Sequence, residues 1–170
     1  MEPSSRKPKG DAVDWNNKGN LYRKQGDTEN AIKCYDRVIE IEPDYAVAWY
    51  KKGVLYDEQG DAVNAMKCLD RAIEIDPNYT NAWHYKGGLY HNQGDAVNEM
   101  KCLDRAIEID PNLAVAWLGK GLLYDNQGDA ENAMKCYDRA LEINPNIADA
   151  WLNKGVLYGD QGDGSKRKKM

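Results

Sequence analysis

The chain of 170 residues has no phenylalanine and only two histidines. No apolar run approaches the ~18–20 residues of a membrane span. The N-terminus has no apolar stretch after its charges, so no secretory signal is read there. No CxxC pair, clustered histidines or HExxH offers a metal site. No Gly-rich phosphate loop and no Ser–His–Asp set offers catalysis, and adjacent acids such as Asp57 and Glu58 diverge on a helix. These absences predict a chain with no enzyme activity, no cofactor, no metal and no membrane span.

What is present is periodic. The five tryptophans, Trp15, Trp49, Trp83, Trp117 and Trp151, are spaced 34 apart, as are Cys34, Cys68, Cys102 and Cys136. A fixed period of this length marks a repeat protein. Equivalent residues in stacked repeats lie ~10 Å apart, one helix-packing distance. A disulfide needs Cα atoms within ~7 Å. The cysteines are therefore read as reduced packing residues, with a cytoplasmic setting.

Net charge is −5, unevenly spread: residues 1–10 carry +2 and residues 166–169 carry +4, leaving −11 on the body. An acidic body is a poor phosphate ligand, so nucleic acid is not an expected partner.

Full repeats span 12–45, 46–79, 80–113 and 114–147, followed by a half repeat, 148–163. Sixteen columns are constant through the four full repeats, among them Trp49, Lys52, Gly53, Leu55, Tyr56, Gly60, Asp61, Asn64 and Pro77 of the second. Gly60 supplies a left-handed helix stop, Asp61 caps the next helix, and Pro77 ends it. The pattern predicts helix A over 46–59 and helix B over 62–75. Lys67, Asp70, Arg71 and Glu74 lie opposite the apolar arc of helix B and read as a solvated outer face with weak i,i+3 pairs.

Trp-x-x-Lys-Gly-x-x-Tyr, then Gly-Asp and Pro, at period 34, resembles the tetratricopeptide repeat. The match covers residues 12–163. Glu99 departs from it, standing where Ala31, Ala65 and Ala133 stand elsewhere, and is expected to strain or open the third hairpin. The resemblance implies an all-α, right-handed α-solenoid of stacked antiparallel hairpins. It also implies an interaction scaffold whose A helices line a concave groove. Residues 1–11 read as a disordered leader and 164–170 as a basic tail.

The columns that vary between repeats lie on helix A, ~130° from the Trp–Gly–Tyr sector. They place Asn16, Asn20, Arg23, Tyr50, Val54, Asp57, His84, Tyr85, His91, Leu118, Leu122, Asp125, Leu152 and Val156 in the expected groove. The first repeat is polar and the later ones are largely apolar or aromatic, which suits a peptide or protein segment with apolar anchors. His84 and His91 are two turns apart, ~10.5 Å, too far to share a metal. Some family members grip a C-terminal carboxylate, as of heat-shock chaperone tails, with Lys and Asn, then Asn, then Lys and Arg. Here Asn20 fits one position and Asn16, Lys51, Asn81 and Tyr85 hold the others, so that ligand class is not expected.

In the half repeat, Trp151, Leu157 and Tyr158 are expected to form an uncovered edge. Three readings stand side by side: a piece or engineered version of a longer array, self-association through the edge as a homo-oligomer, or a tolerated exposure.

Overall fold

A computed structural model describes the backbone of residues 11–167 and the side chains of residues 11–159. The expected leader therefore lies outside the described residues except for Asp11. That residue is ordered: it caps α1 (Ala12–Lys24) by accepting a bond from Asp14 N at 2.9 Å, and Asp14 returns a carboxylate to Asp11 N. This reciprocal box explains why the first repeat carries Asp14 where the others carry alanine.

The described residues are all helix and turn: α2 (Thr28–Ile41), α3 (Ala46–Glu58), α4 (Ala62–Ile75), α5 (Thr80–Asn92), α6 (Ala96–Ile109), α7 (Ala114–Asn126), α8 (Ala130–Ile143) and α9 (Ala148–Arg167) follow α1. Odd-numbered helices are the A helices and even-numbered ones the B helices. Two compact units divide the chain, residues 1–82 and 83–170, the cut falling inside α5.

The joints follow from a few residues. Gly26, Gly60, Gly94 and Gly128 take positive φ after α1, α3, α5 and α7. The chain then doubles back with paired bonds such as Gly60 N to Asp57 O and Asp61 N to Tyr56 O, the geometry a left-handed glycine permits. Asp27, Asp61, Asp95 and Asp129 each accept from the backbone N of the asparagine three residues on. The same asparagine side chain donates to the second carboxylate oxygen. These bonds hold all four carboxyls below the usual aspartate range. At the far end of α4, Asp76 is extended, as a residue before proline must be. Pro43, Pro111 and Pro145 have a second use. Their carbonyls accept the indole N–H of Trp49, Trp117 and Trp151 at 2.9–3.0 Å. Trp15 Nε1 is buried and has no such partner among the described residues.

In the first unit, Ala12, Ala31, Tyr35, Val38, Ala48 and Leu55 form one buried cluster joining α1, α2 and α3. In the second, Ala133, Tyr137 and Leu157 join α8 to α9, with Leu118, Leu122 and Tyr124 packed on them. Leu103, Ala106 and Ala116 join α6 to α7. The A–B approach is close. A Cβ on Gly19 would sit 2.6 Å from Tyr35 Cε1, and one on Gly121 2.5 Å from Tyr137 Cε1.

In the outer charge run Lys67, Arg71 and Glu74 are exposed, as expected of a solvated face, but the aspartate column does more. Its aspartates reach the next repeat: Lys52 pairs with Asp36, Lys120 with Asp104 and Lys154 with Asp138. Each of these lysines also lies 5.6–6.0 Å from the centroids of the Trp and Tyr that flank it on its own helix. Constant Trp, Lys, Tyr and Asp columns are thus one inter-repeat clasp, in which ring faces and a carboxylate share an ammonium. The i,i+3 pairs expected between Arg and Glu are present, as in Arg71–Glu74 and Arg139–Glu142.

Two further expectations need correction. Glu99 does not open the third hairpin. It is buried, 6% exposed, and α6 starts with the same aspartate cap as α4 and α8. The tail does not begin as a separate segment at residue 164 either, because α9 runs on through Gly162 to Arg167. In the other repeats an apolar helix B packs behind the glycine turn, whereas Gly164-Ser165-Lys166-Arg167 carries no apolar stripe. Residues 168–170 lie outside the described residues.

Candidate functional site

The varying columns of the A helices fall into three environments. In the first unit, α1 and α3 lie side by side and build a polar face. Lys51 Nζ donates to Asn16 Oδ1 at 2.9 Å and to Asn20 Oδ1 at 2.8 Å. The Tyr35 hydroxyl donates to Asn20 Oδ1 as well, at 3.0 Å. Arg23 pairs with Glu58 across the same two helices at 3.0 Å. Asn20, Arg23 and Lys24 line an open depression of about 360 Å³. Asn16, Asn20 and Arg23 are thus brought together on one face of α1 and α3. Lys51 and Glu58 complete the face. Lys51 and Glu58 both sit in columns that vary between repeats, and that was the signal available for them.

Tyr50 is half-buried and meets Tyr79 edge-on, ring centroids 5.2 Å apart. Burial pushes both phenols up, Tyr79 to about 12. Asp57 is half-buried. Val54 does not line a groove: it is buried at 3% exposure, between buried Gly53 and Leu55. The packed arc of α3 is wider than the Trp–Gly–Tyr sector alone, and a compact aliphatic at its edge is covered.

In the second unit the face is mixed. Leu118 and Leu122 are half-buried against Ala133, Tyr137 and Leu157, so they serve the core as well as the surface. Asp125 accepts a long 3.5 Å contact from the Tyr137 hydroxyl. His84 and Tyr85 are half-buried, and burial pushes the His84 imidazole down. His91 is exposed and also reaches α6. Its Nδ1 lies 3.1 and 3.2 Å from the two carboxylate oxygens of Glu99 on α6. A buried carboxylate requires such a partner, which is how the hairpin accommodates glutamate in place of alanine. Leu152 and Val156 on α9 are exposed.

The expected edge on α9 survives for two of its three residues. Trp151 and Tyr158 are 56% and 58% exposed, and a Cβ on Gly155 would meet nothing within 4 Å. Leu157 is corrected: it is 5% exposed, because its column faces back onto the preceding hairpin. Leu55, Leu89 and Leu123 in that column are buried likewise, while Leu21 on α1 is 55% exposed.

All four cysteines are buried and unbridged. Burial pushes the Cys34, Cys68 and Cys136 thiols up, which disfavours the reactive thiolate. Among the described residues no group of His, Cys, Asp and Glu is placed to hold a metal, and no helix is long and apolar enough to cross a membrane.

Sequence profiles described as TPR repeat or tetratricopeptide repeat match residues 19–60, 46–79, 68–98, 114–147 and 136–167. The chain belongs to the tetratricopeptide repeat family. Its hairpins are those of a TPR solenoid, and the family's members are protein-interaction scaffolds. A crystal structure of MamA is 26% identical, with 85% of this chain and 84% of that one covered and a TM-score of 0.75. MamA 41-end from Desulfovibrio magneticus RS-1 is 19% identical, covering 93% and 89%, at a TM-score of 0.78. YrrB, described as a TPR protein with an unusual peptide-binding site, is 24% identical, covering 89% and 78%, at 0.72. The last two likenesses show the fold. A comparison with curated proteins finds no match.

Proposed function

We propose that this TPR chain is a non-catalytic scaffold that binds an extended segment of another protein across its A helices. The observation that carries the reading is the division of labour within each repeat. Constant residues make the joints, the inter-repeat clasp and the core, while varying A-helix residues such as Asn16, Asn20 and Tyr50 in the first unit and His84, Tyr85, Leu118 and Leu122 in the second form a half-buried face within each unit. Such a face offers contact area already desolvated in part and held on a rigid frame, which lowers the ordering cost of binding. Four buried, unbridged thiols fit a reducing compartment, the cytoplasm.

The test is selection of peptides from a displayed random library on the immobilised chain. Peptides that bind the wild type should lose capture when Tyr50, Tyr85 and Leu152 are changed together to serine. They should keep it when exposed Lys67, Lys101 and Lys135 on the B helices are changed instead, with far-UV helicity unchanged in both. Equal capture by the two triple variants sinks the groove.

A second reading, self-association through α9, is favoured by the exposed Trp151 and Tyr158 beside an open Gly155. Light scattering across concentration decides it. A mass that stays monomeric at every concentration, or an oligomer that survives Trp151→Lys with Tyr158→Lys, removes it.

A further inference from the structure

The third repeat departs from its sisters at two places, and each departure is unfavourable for the fold by itself. Gly88 on α5 stands in the column that holds Asn20, Val54 and Leu122. Glycine inside a helix is destabilising relative to alanine, and packing does not ask for it here. A Cβ on Gly88 would meet nothing within 4 Å, whereas one on its neighbour Gly87 would lie 3.4 Å from Cys102 Cβ. Glu99 on α6 stands where Ala31, Ala65 and Ala133 stand, and it is buried. Taking a carboxylate out of water is unfavourable unless a cation and hydrogen bonds replace the water. Among the described residues no lysine or arginine forms an ion pair with Glu99. Its partner is His91, whose Nδ1 serves both oxygens, and an imidazole brings a positive charge only when protonated. One ring N–H does not fill the about four acceptor positions of a carboxylate.

The two departures meet at His91. It follows Gly88 by three residues, and His84 precedes Gly88 by four, so the three share one face of α5. The two histidines stand ~10.5 Å apart along that face, with bare backbone between them. On α7 the same register is filled by Leu122, which packs on the Ala133, Tyr137 and Leu157 cluster. On α5 the volume of that side chain is open, bounded by an imidazole at each end. The Glu99 carboxylate lies one hydrogen bond behind exposed His91. Burial pushes the His84 imidazole down, so its ring is uncharged at neutral pH and does not repel a cation. The result is a notch with surplus acceptors and no resident positive side chain.

We propose that this notch seats an arginine side chain of the bound segment, its guanidinium lying over the Gly88 backbone and pairing with Glu99 beside His91. The seat rests on the A-helix face being where the segment binds, and it adds the chemistry of one anchor. A guanidinium is donor-only, so its N–H fork matches the acceptor positions that His91 leaves open. It is planar and weakly hydrated, so it fits against bare backbone and an imidazole better than a compact ammonium does. It also supplies the counter-charge that Glu99 lacks. A cationic anchor suits a chain whose body carries net negative charge. Both departures of the third repeat thereby acquire one cause: glycine makes the room and glutamate makes the charge.

Two displayed libraries of random nine-residue peptides test it on the full chain. They differ only at the central residue, arginine in one and glutamine in the other. At about 0.15 M salt, where diffuse charge attraction is screened, capture of the arginine library should exceed that of the glutamine library about tenfold or more. Glu99→Ala and Gly88→Val should each erase the excess. Both install what a sister repeat carries, as at Ala65 and Val54, so far-UV helicity should hold. Glu131→Gln removes the same charge from an exposed site on α8 and should leave the excess intact. The His91 ring NMR signals should shift on adding a captured arginine peptide, and stay in place when its central arginine is replaced by glutamine. An excess that survives Glu99→Ala or Gly88→Val, an excess that falls equally in Glu131→Gln, or ring signals that do not move overturns the seat. So does equal capture of the two libraries; if changing Tyr50, Tyr85 and Leu152 together to serine still abolishes that capture, the groove itself stands. Capture of neither library also overturns the seat, and the unbiased selection above then judges the groove separately.

Discussion

The α1–α2 and α7–α8 hairpins share a frame and differ in what they present. In each, a glycine of helix A lies directly against a fully buried tyrosine of helix B: Gly19 on Tyr35, Gly121 on Tyr137. One turn before the glycine and just after it, the first hairpin carries Asn16 and Asn20 and the other Leu118 and Leu122. The asparagines order a lysine, while the leucines help to bury Leu157. The same backbone therefore supports a polar face in one unit and an aliphatic one in the other. Framework and face are separable because the helical period puts them on different sides of one helix.

Removing the tyrosines is the severest trial of that equivalence. Tyr35→Ala and Tyr137→Ala should each cost about 3–5 kcal/mol, the cost of emptying a buried aromatic site. Urea unfolding should find the two losses alike to within about 1 kcal/mol, since neither ring is exposed. A much smaller loss at one site would show that the hairpins do not share a frame.

A lesser loss should follow from adding a methyl group. Gly19→Ala and Gly121→Ala force a Cβ to within 2.6 and 2.5 Å of a tyrosine ring carbon. Each should cost about 1–3 kcal/mol, as overpacking does. Gly155→Ala is the control at the same register on α9. Nothing lies within 4 Å of its Cβ position, so the substitution should stabilise by about 0.5–1 kcal/mol through helix propensity alone. Thermal melts that move all three the same way would break the argument that packing, and not backbone freedom, keeps glycine in this column.

Nearly all of the frame was legible in the sequence because it repeats. Gly60, Asp61 and Pro77 announced the joints, and helix bounds of 46–59 and 62–75 came within a residue of Ala46–Glu58 and Ala62–Ile75. The face was less legible. Periodicity gives the direction of a side chain on its own helix but not what the neighbouring helix brings toward it. Val54 and Leu157 look like surface residues on a helical wheel and are buried. His91 shares the face of His84 by spacing, yet it also meets Glu99 of α6, a contact that spacing along α5 does not give. Lys51 is one member of a varying column by spacing, and its bonds to two asparagines on α1 come from helix packing that spacing does not give. The Trp–Lys–Tyr–Asp clasp was hidden for the same reason, since its aspartate comes from the preceding repeat.

The finest test concerns the two phenolic hydroxyls, where the shared frame meets different faces. Tyr35 makes a 3.0 Å bond to Asn20, and Tyr137 a 3.5 Å contact to Asp125. At neutral pH, Tyr35→Phe should cost about 1 kcal/mol, the net worth of a buried hydrogen bond. Tyr137→Phe should cost less, since its contact is too long to count fully. Alkali should separate them further. Burial raises both phenols, but the charge of Arg23 lowers Tyr35, whereas Asp125 adds to the rise of Tyr137 and takes it to about 12. A phenol raised in the folded state stabilises the fold fully below the unfolded value near ~10, and that stability drains away as pH climbs toward the folded value. Denaturant midpoints between pH 10 and 12 should therefore fall less in Tyr137→Phe than in the parent chain, with a smaller rescue from Tyr35→Phe. Equal rescue by the two substitutions would mean that the charges on the A-helix faces do not reach the tyrosines beneath them, and that frame and face are independent electrostatically as well as in packing.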